Sequence, residues 1–330
     1  MRILPLLALA IISLATPLLH AQDAVATPTV PGLSEAGPTF TIPASQIPKH
    51  WTIIGYGDTR FTDPADTKNT NPSVRRALVN QIASERPDAL LISGDLPLNG
   101  NVENDYTVYR TETQPWRDAH LRVYPALGNH EMHGGEAVGL KNWWATFPEL
   151  NNRRWYSVSF GNAWILSLDS NAPLTAGSPQ QSWIAAQFAA LPKTVQFVFI
   201  VMHHPIVGDD FPLSTHNVRS NEAALGQFLA ATAPTLKVRI TVLCGHVHNY
   251  EHFLKDGITY LVAGGGAAKP YKVERNPQDL YKGTDDINYH YLTFRFDGKV
   301  VHAEMHRLAN PDSPNPTWDT RDTFDLTPLR

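Results

Sequence analysis

Between residues 51 and 248 five apolar runs each end abruptly in a cluster of polar residues. The runs are Trp51–Tyr56, Ala89–Ser93, Val123–Leu127, Phe197–Met202 and Ile240–Cys244. Short apolar runs rich in branched and aromatic residues read as strands. Helical patterns alternate with them. Asn71-Pro72 reads as a cap followed by proline at the first helical position, and Val74, Leu78 and Ile82 then mark an apolar face ending near Glu85. Gln180–Leu191 and Glu222–Ala231 repeat the helical pattern. Gly161-Asn162 and Asp297-Gly298, each flanked by strand-like runs, read as tight hairpins. Helix-linked strands mixed with hairpins predict mixed sheets. The expected fold is therefore α/β: a four-layer α-β-β-α sandwich of two mixed sheets flanked by helices.

Composition changes this picture little. The chain has 330 residues, 42% of them apolar, and a formal charge of −4. That permits a sizeable core. Neither a basic stripe nor an aromatic-basic interleave is present, so a nucleic-acid-binding surface is not expected. The ends carry more information. Met1-Arg2 precedes a mostly apolar stretch to Leu19, and Leu19-His20-Ala21 suits cleavage, so residues 1–21 read as a signal peptide. Cleavage there leaves no membrane span and predicts a secreted or periplasmic protein. Residues 22–48 are rich in Pro, Thr and Ala and read as a linker, 49–306 as the main domain and 307–330 as a C-terminal tail. The single cysteine, Cys244, ends an apolar run and reads as a buried structural thiol.

The polar clusters carry the chemistry. They are Gly57-Asp58-Thr59-Arg60, Gly94-Asp95, Gly128-Asn129-His130-Glu131, His203-His204-Pro205 and Gly245-His246-Val247-His248. Open sheets bind ligands in the crevice beyond the carboxyl ends of their strands. Strands ending in these clusters would bring carboxylate oxygen, amide oxygen and imidazole nitrogen into one pocket. That donor mixture suits a transition metal better than calcium or a thiolate zinc knot.

Taken together and in order, these segments resemble the calcineurin-like metallophosphoesterases, in particular their purple-acid-phosphatase-like branch. The resemblance covers roughly residues 50 to 306 and also includes Asn151–Tyr156 and Leu168-Asp169-Ser170. It implies a dinuclear centre of divalent or trivalent ions, iron, manganese or zinc. Asp95 would bridge the ions; Asn129, His203 and His246 would complete one site, and Asp58 and His248 would belong to the other. His130 would stand beside the leaving-group oxygen without binding metal. The implied activity is hydrolysis of a small-molecule phosphate ester by a metal-bound hydroxide.

Two positions depart from the pattern. Arg60 stands where many relatives carry a histidine, and Leu98 where the purple acid phosphatases carry a tyrosine ligand. The first site is thus expected to hold its ion more weakly. A guanidinium 5 Å from a divalent ion would oppose it by about 7 kcal/mol at an effective dielectric of 20. Arg60 either grips a substrate phosphate, which makes it a catalytic candidate beside His130, or takes the place of the first ion. The second alternative corresponds to a non-catalytic or single-metal envelope protein that binds phosphorylated ligands. His204 could touch substrate or be a plain loop histidine, while Glu131 could support its neighbours by hydrogen bonds. Trp143, Trp144 and His133 could form a pocket rim. Gly264-Gly265-Gly266 reads as a close backbone approach beside the cleft, since no Lys-Ser or Lys-Thr follows to make a nucleotide loop.

Overall fold

Residues 24–25, 36–209, 216–284 and 288–329 are described by the computed structural model. The expected signal peptide lies outside the described residues, as does most of 22–35. The strands are β1 (Ala24–Val25), β2 (Ala36–Ile42), β3 (His50–Tyr56), β4 (Ala89–Ile92), β5 (Val123–Pro125), β6 (Trp155–Phe160) and β7 (Ala163–Ser167). They continue as β8 (Phe197–Val201), β9 (Arg239–Cys244), β10 (Tyr250–Lys255), β11 (Ile258–Ala263), β12 (His290–Asp297), β13 (Val300–Leu308) and β14 (Trp318–Leu326). Among the described residues six α-helices intervene: α1 (Pro72–Glu85), α2 (Glu103–Glu112), α3 (Gln114–Asp118), α4 (Glu136–Thr146), α5 (Pro179–Ala189) and α6 (Ser220–Leu236).

One sheet runs β1-β2-β6-β7-β8-β9-β11-β10 and the other β14-β13-β12-β3-β4-β5. Both are mixed: β7, β8, β9 and β11 are parallel, as are β3, β4 and β5, while hairpins add antiparallel neighbours. The two sheets pack face to face through aromatic side chains. The Phe199 ring meets Phe294 edge-on at 5.1 Å, and Trp51 of β3 lies 4.8 Å from Phe160 of β6. Helix α1 buries Val74, Leu78 and Ile82 in this same core, and α5 and α6 bury Trp183, Ile184, Leu225 and Leu229 in a second. The layering is the expected helix–sheet–sheet–helix sandwich. β8 is buried along its whole length, as a strand covered on both faces must be.

Local signals account for most boundaries. The Asn71 side chain accepts from the N–H groups of Ser73 (3.1 Å) and Val74 (3.2 Å), so α1 starts at the expected cap. Gly161 and Gly298 take φ of 59° and 62°, the left-handed turn conformation that closes the two hairpins.

Two expected boundaries require correction. The linker assigned to 22–48 contains β2, which pairs in parallel with β6 and buries Phe40 and Ile42. Its Pro- and Thr-rich composition hides the strand because only two of its described apolar side chains, Phe40 and Ile42, reach the core. The tail assigned to 307–330 contains β14, the antiparallel edge partner of β13. That strand reads as polar because an edge buries little: Leu326 is covered, and most of its other residues remain half-buried or exposed. The folded unit therefore extends beyond 49–306 at both ends. Trp143, expected at a pocket rim, is instead a core residue.

Candidate metal centre

Loops at the carboxyl ends of β3, β4, β5, β8 and β9 carry the chemistry, and their backbones interlock. Asp58 donates its N–H to the Gly94 carbonyl and Arg60 its N–H to the Asp95 carbonyl, both at 3.0 Å. Asp58, Arg60, Asp95 and His246 have φ of 62°, 46°, 53° and 71°. Left-handed backbone at such residues costs on the order of 1–3 kcal/mol each and persists only where the surroundings impose it. A Cβ on Gly264 would collide with the Val247 carbonyl and come within 2.9 Å of Asp58 Oδ2, so the glycine run is a close backbone approach to the site.

Four donors converge on one point. His203 Nε2 lies 3.1 Å from Asp95 Oδ1, 2.9 Å from Asn129 Oδ1 and 3.2 Å from His246 Nδ1. Asn129 Oδ1 and His246 Nδ1 are 3.1 Å apart. His203 Nε2, Asn129 Oδ1 and His246 Nδ1 thus form a triangle with edges of 2.9–3.2 Å, with Asp95 Oδ1 beside its His203 corner, a mixed nitrogen and oxygen donor set of the kind that zinc accepts. His203 Nδ1 donates to the Ser93 carbonyl at 2.9 Å, so Nε2 of the neutral ring presents a lone pair. Lone pairs from nitrogen, amide and carboxylate face one another here, an arrangement that a cation satisfies. His204 also belongs to the imidazole grouping with His203 and His246. Its Nδ1, however, pairs with Ser170 Oγ at 2.7 Å, and Asn129 Oδ1 is the better-placed donor.

The second grouping is Asp58, Asp95 and His248. His248 Nδ1 donates to the Lys269 carbonyl at 2.6 Å, which turns Nε2 inward. His248 Nε2 and Asp58 Oδ1 are buried, lack hydrogen-bond partners and stand 3.3 Å apart. Two orphaned acceptors in contact fit an ion between them. Both cages thus suit the metal that the ligand set implies, with Asp95 common to the two.

Electrostatics follow from burial. Burial pushes the Asp58 carboxyl up to about 7, helped by Asp95 and opposed by His203. Burial opposes ionisation of Asp95 too, but His203, His130 and Arg60 outweigh it and hold its carboxyl well below the usual range. Asp95 is therefore the anion of the pair. Burial pushes His130 down to about 4, with Asp95 acting the other way.

The remaining candidates fall into place around this centre. His130 Nδ1 meets the Leu98 carbonyl at 2.5 Å, leaving Nε2 3.7 Å from Asp95 Oδ2. The Leu98 position thus contributes a carbonyl in place of a phenol. Arg60 points inward, with Nη2 3.4 Å from Asp95 Oδ2. Glu131 is fully buried and accepts from the N–H groups of Asp95, Leu96 and Gly128 at 3.2, 2.8 and 2.7 Å. It ties two motif loops together. His252 lies apart, bonded to Asp322 at 2.8 Å. Cys244 is buried, with its thiol 3.7 Å from the His204 carbonyl.

Two site neighbours have no local sequence signal. The His216 ring lies 4.6 Å from both His246 and Tyr271, and Tyr271 stacks on His248 at 4.1 Å. Both come from loops outside the five motifs, so only folding reveals them.

A two-sheet sandwich whose strand ends gather carboxylate, amide and imidazole into paired cages defines a metal-centred hydrolase. The family model for calcineurin-like phosphoesterases matches residues 55–250. The chain belongs to that family and is a metal-dependent phosphoric ester hydrolase. A probable cyclic nucleotide phosphodiesterase of Ruthia magnifica subsp. Calyptogena magnifica is 26% identical over 195 residues, which are 58% of this chain and 74% of that protein. The fold is similar to a purple acid phosphatase from yellow lupin (Lupinus luteus) seeds, with a TM-score of 0.67 at 14% identity over 84% of this chain. The matched region spans 54% of the lupin chain, about half its length. It is also similar to a dimetal phosphatase from Danio rerio, with a TM-score of 0.55 at 14% identity over 84% of this chain and 98% of that one.

Proposed function

We propose that the protein is an exported phosphoesterase that hydrolyses a small-molecule phosphate ester at a two-ion centre held by Asp58, Asp95, Asn129, His203, His246 and His248. The observation that carries this reading is the convergence of four donors within 2.9–3.2 Å beside a second pair of orphaned acceptors at 3.3 Å. When bound, paired ions lower the pKa of a water and clamp phosphoryl oxygens for in-line displacement. The chain's own groups do the rest. Asp95 lies against His203 and also belongs with Asp58 and His248, so its carboxylate would be shared by ions held in the two cages. His130 has Nδ1 committed to Leu98, so Nε2 is the atom left to face the leaving oxygen, and it delivers a proton there only when the ring is protonated, a form that Asp95 favours and burial opposes. Arg60 brings a guanidinium to the side of the Asp58–Asp95–His248 cage, where it binds a phosphoryl oxygen.

Replacing Asp95 or His246 by alanine is expected to reduce turnover of an aryl phosphate at least about a thousandfold, with far-ultraviolet dichroism unchanged. Turnover within tenfold of the parent would refute the assignment. One observation favours the single-ion alternative: the Arg60 guanidinium lies 3.4 Å from Asp95 Oδ2, where its charge opposes an ion in the Asp58–Asp95–His248 cage. Metal analysis after reconstitution with excess manganese or zinc separates the two, two ions per chain supporting the dinuclear reading and one tightly held ion the alternative. Export follows from the amino-terminal pattern alone, and amino-terminal sequencing of protein recovered outside the cytoplasm tests it.

A further inference from the structure

We infer that Arg60, held in place by Tyr271, selects phosphate monoesters over diesters by taking the third non-bridging oxygen that only a monoester offers. The inference rests on the phosphoesterase reading and names the substrate class for that site.

Arg60 is aimed by its backbone. Its φ of 46° is held on one side by its N–H bond to the Asp95 carbonyl and on the other by Arg75 Nη1, which donates to the Arg60 carbonyl at 3.1 Å. The side chain is 13% exposed. Its head is far from saturated: the Asp95 contact is long at 3.4 Å, and the buried Nε has no partner. A buried donor without an acceptor is costly, and a phosphoryl oxygen would satisfy it.

Tyr271 adjoins the guanidinium. Its side chain hydrogen-bonds with Arg60, and its ring stacks on His248 with an interplanar angle of 17°. Its N–H donates to the His248 carbonyl at 3.1 Å, and its own carbonyl accepts from Asn249 Nδ2 at 2.7 Å. The phenol is thus locked between the His248 cage and the guanidinium. Tyr271 is a positioning residue, acting through Arg60.

The selection follows from counting oxygens. A monoester carries close to two negative charges at pH 7 and three non-bridging oxygens. Ions in the two cages would engage two of them, which leaves the third for Arg60. In a diester that third position is an esterified oxygen without charge, whose substituent would be driven toward Tyr271 and His216. A fixed extra positive charge also favours the dianion over the monoanion.

The test compares 4-nitrophenyl phosphate with bis(4-nitrophenyl) phosphate on the metal-loaded full chain, and adds calorimetric titration with inorganic phosphate. The parent should favour the monoester by about a hundredfold or more in kcat/KM. Arg60→Ala should lower that ratio at least about tenfold, mainly through the monoester KM, and weaken phosphate binding by a similar factor. Arg60→Lys should retain part of the preference, and Tyr271→Phe should raise the monoester KM about threefold with a smaller change in kcat. Bound metal per chain should match the parent in all three. A parent that prefers the diester, a ratio that survives Arg60→Ala, or unaltered phosphate affinity in that variant overturns the inference. Hydrolysis of neither ester would instead sink the phosphoesterase reading, and the phosphate titration would still decide the role of Arg60.

Discussion

Asp95 depends on Glu131 for its position. The Glu131 carboxylate accepts three backbone N–H groups, and one of them belongs to Asp95 itself. Burial and the nearby Asp95 push Glu131 up to about 8, against the pull of the Leu96 and Gly128 bonds, which favour the carboxylate form. Glutamine has the same shape but must turn an NH2 group toward one of the backbone donors. Glu131→Gln should therefore cost about 1–3 kcal/mol in urea unfolding and weaken metal retention on dialysis. Unchanged stability with unchanged metal content would show that the carboxylate only fills space. At this scale the motifs named nearly every group in the two cages, because each ligand follows a strand within a few residues. His216 and Tyr271 escaped because they lie in loops whose local pattern resembles any solvated turn.

Strands and helices were legible where their signal is local. The Asn71-Pro72 cap, the hairpins at Gly161 and Gly298, and the buried run of β8 need no partner to be recognised. Edge and near-edge strands are different. β2 and β14 acquire their hydrogen bonds from β6 and β13, and too few of their side chains are buried to leave an alternating pattern. Phe40 nonetheless packs edge-on against Tyr156 at 5.6 Å and is 1% exposed. Phe40→Ala should cost about 3–5 kcal/mol, read from the urea midpoint. A loss below about half a kcal/mol, the range of surface substitutions, would mean that β2 is a detachable arm.

At the scale of the molecule, the metal cages lie where both sheets contribute loops, so ion binding couples the two halves. β3, β4 and β5 supply Asp58, Asp95 and Asn129, whereas β8 and β9 supply His203, His246 and His248. A ligand that binds only the folded form stabilises it by about 3–4 kcal/mol at a hundred to a thousand times its dissociation constant. Chelation should accordingly lower the thermal midpoint by several degrees, roughly 2–4 °C per kcal/mol for chains of 150–250 residues and somewhat less for one of 330. Restoring zinc or manganese should reverse the loss, and a midpoint insensitive to chelator would contradict the coupling. Among the described residues, no helix is long and apolar enough to cross a membrane.

The sequence by itself determined the sandwich and the strand ends that bear the candidate ligands, because strand, turn and cap preferences act over a few neighbouring residues. Only the tertiary structure decided that Arg60 turns inward toward Asp95, that Tyr271 rests on His248, and that β2 and β14 complete the sheets. Those outcomes depend on contacts between segments about 10 to more than 200 residues apart, from β13 with β14 to Arg60 with Tyr271. No periodicity along a chain encodes the direction in which one side chain meets another across such a distance.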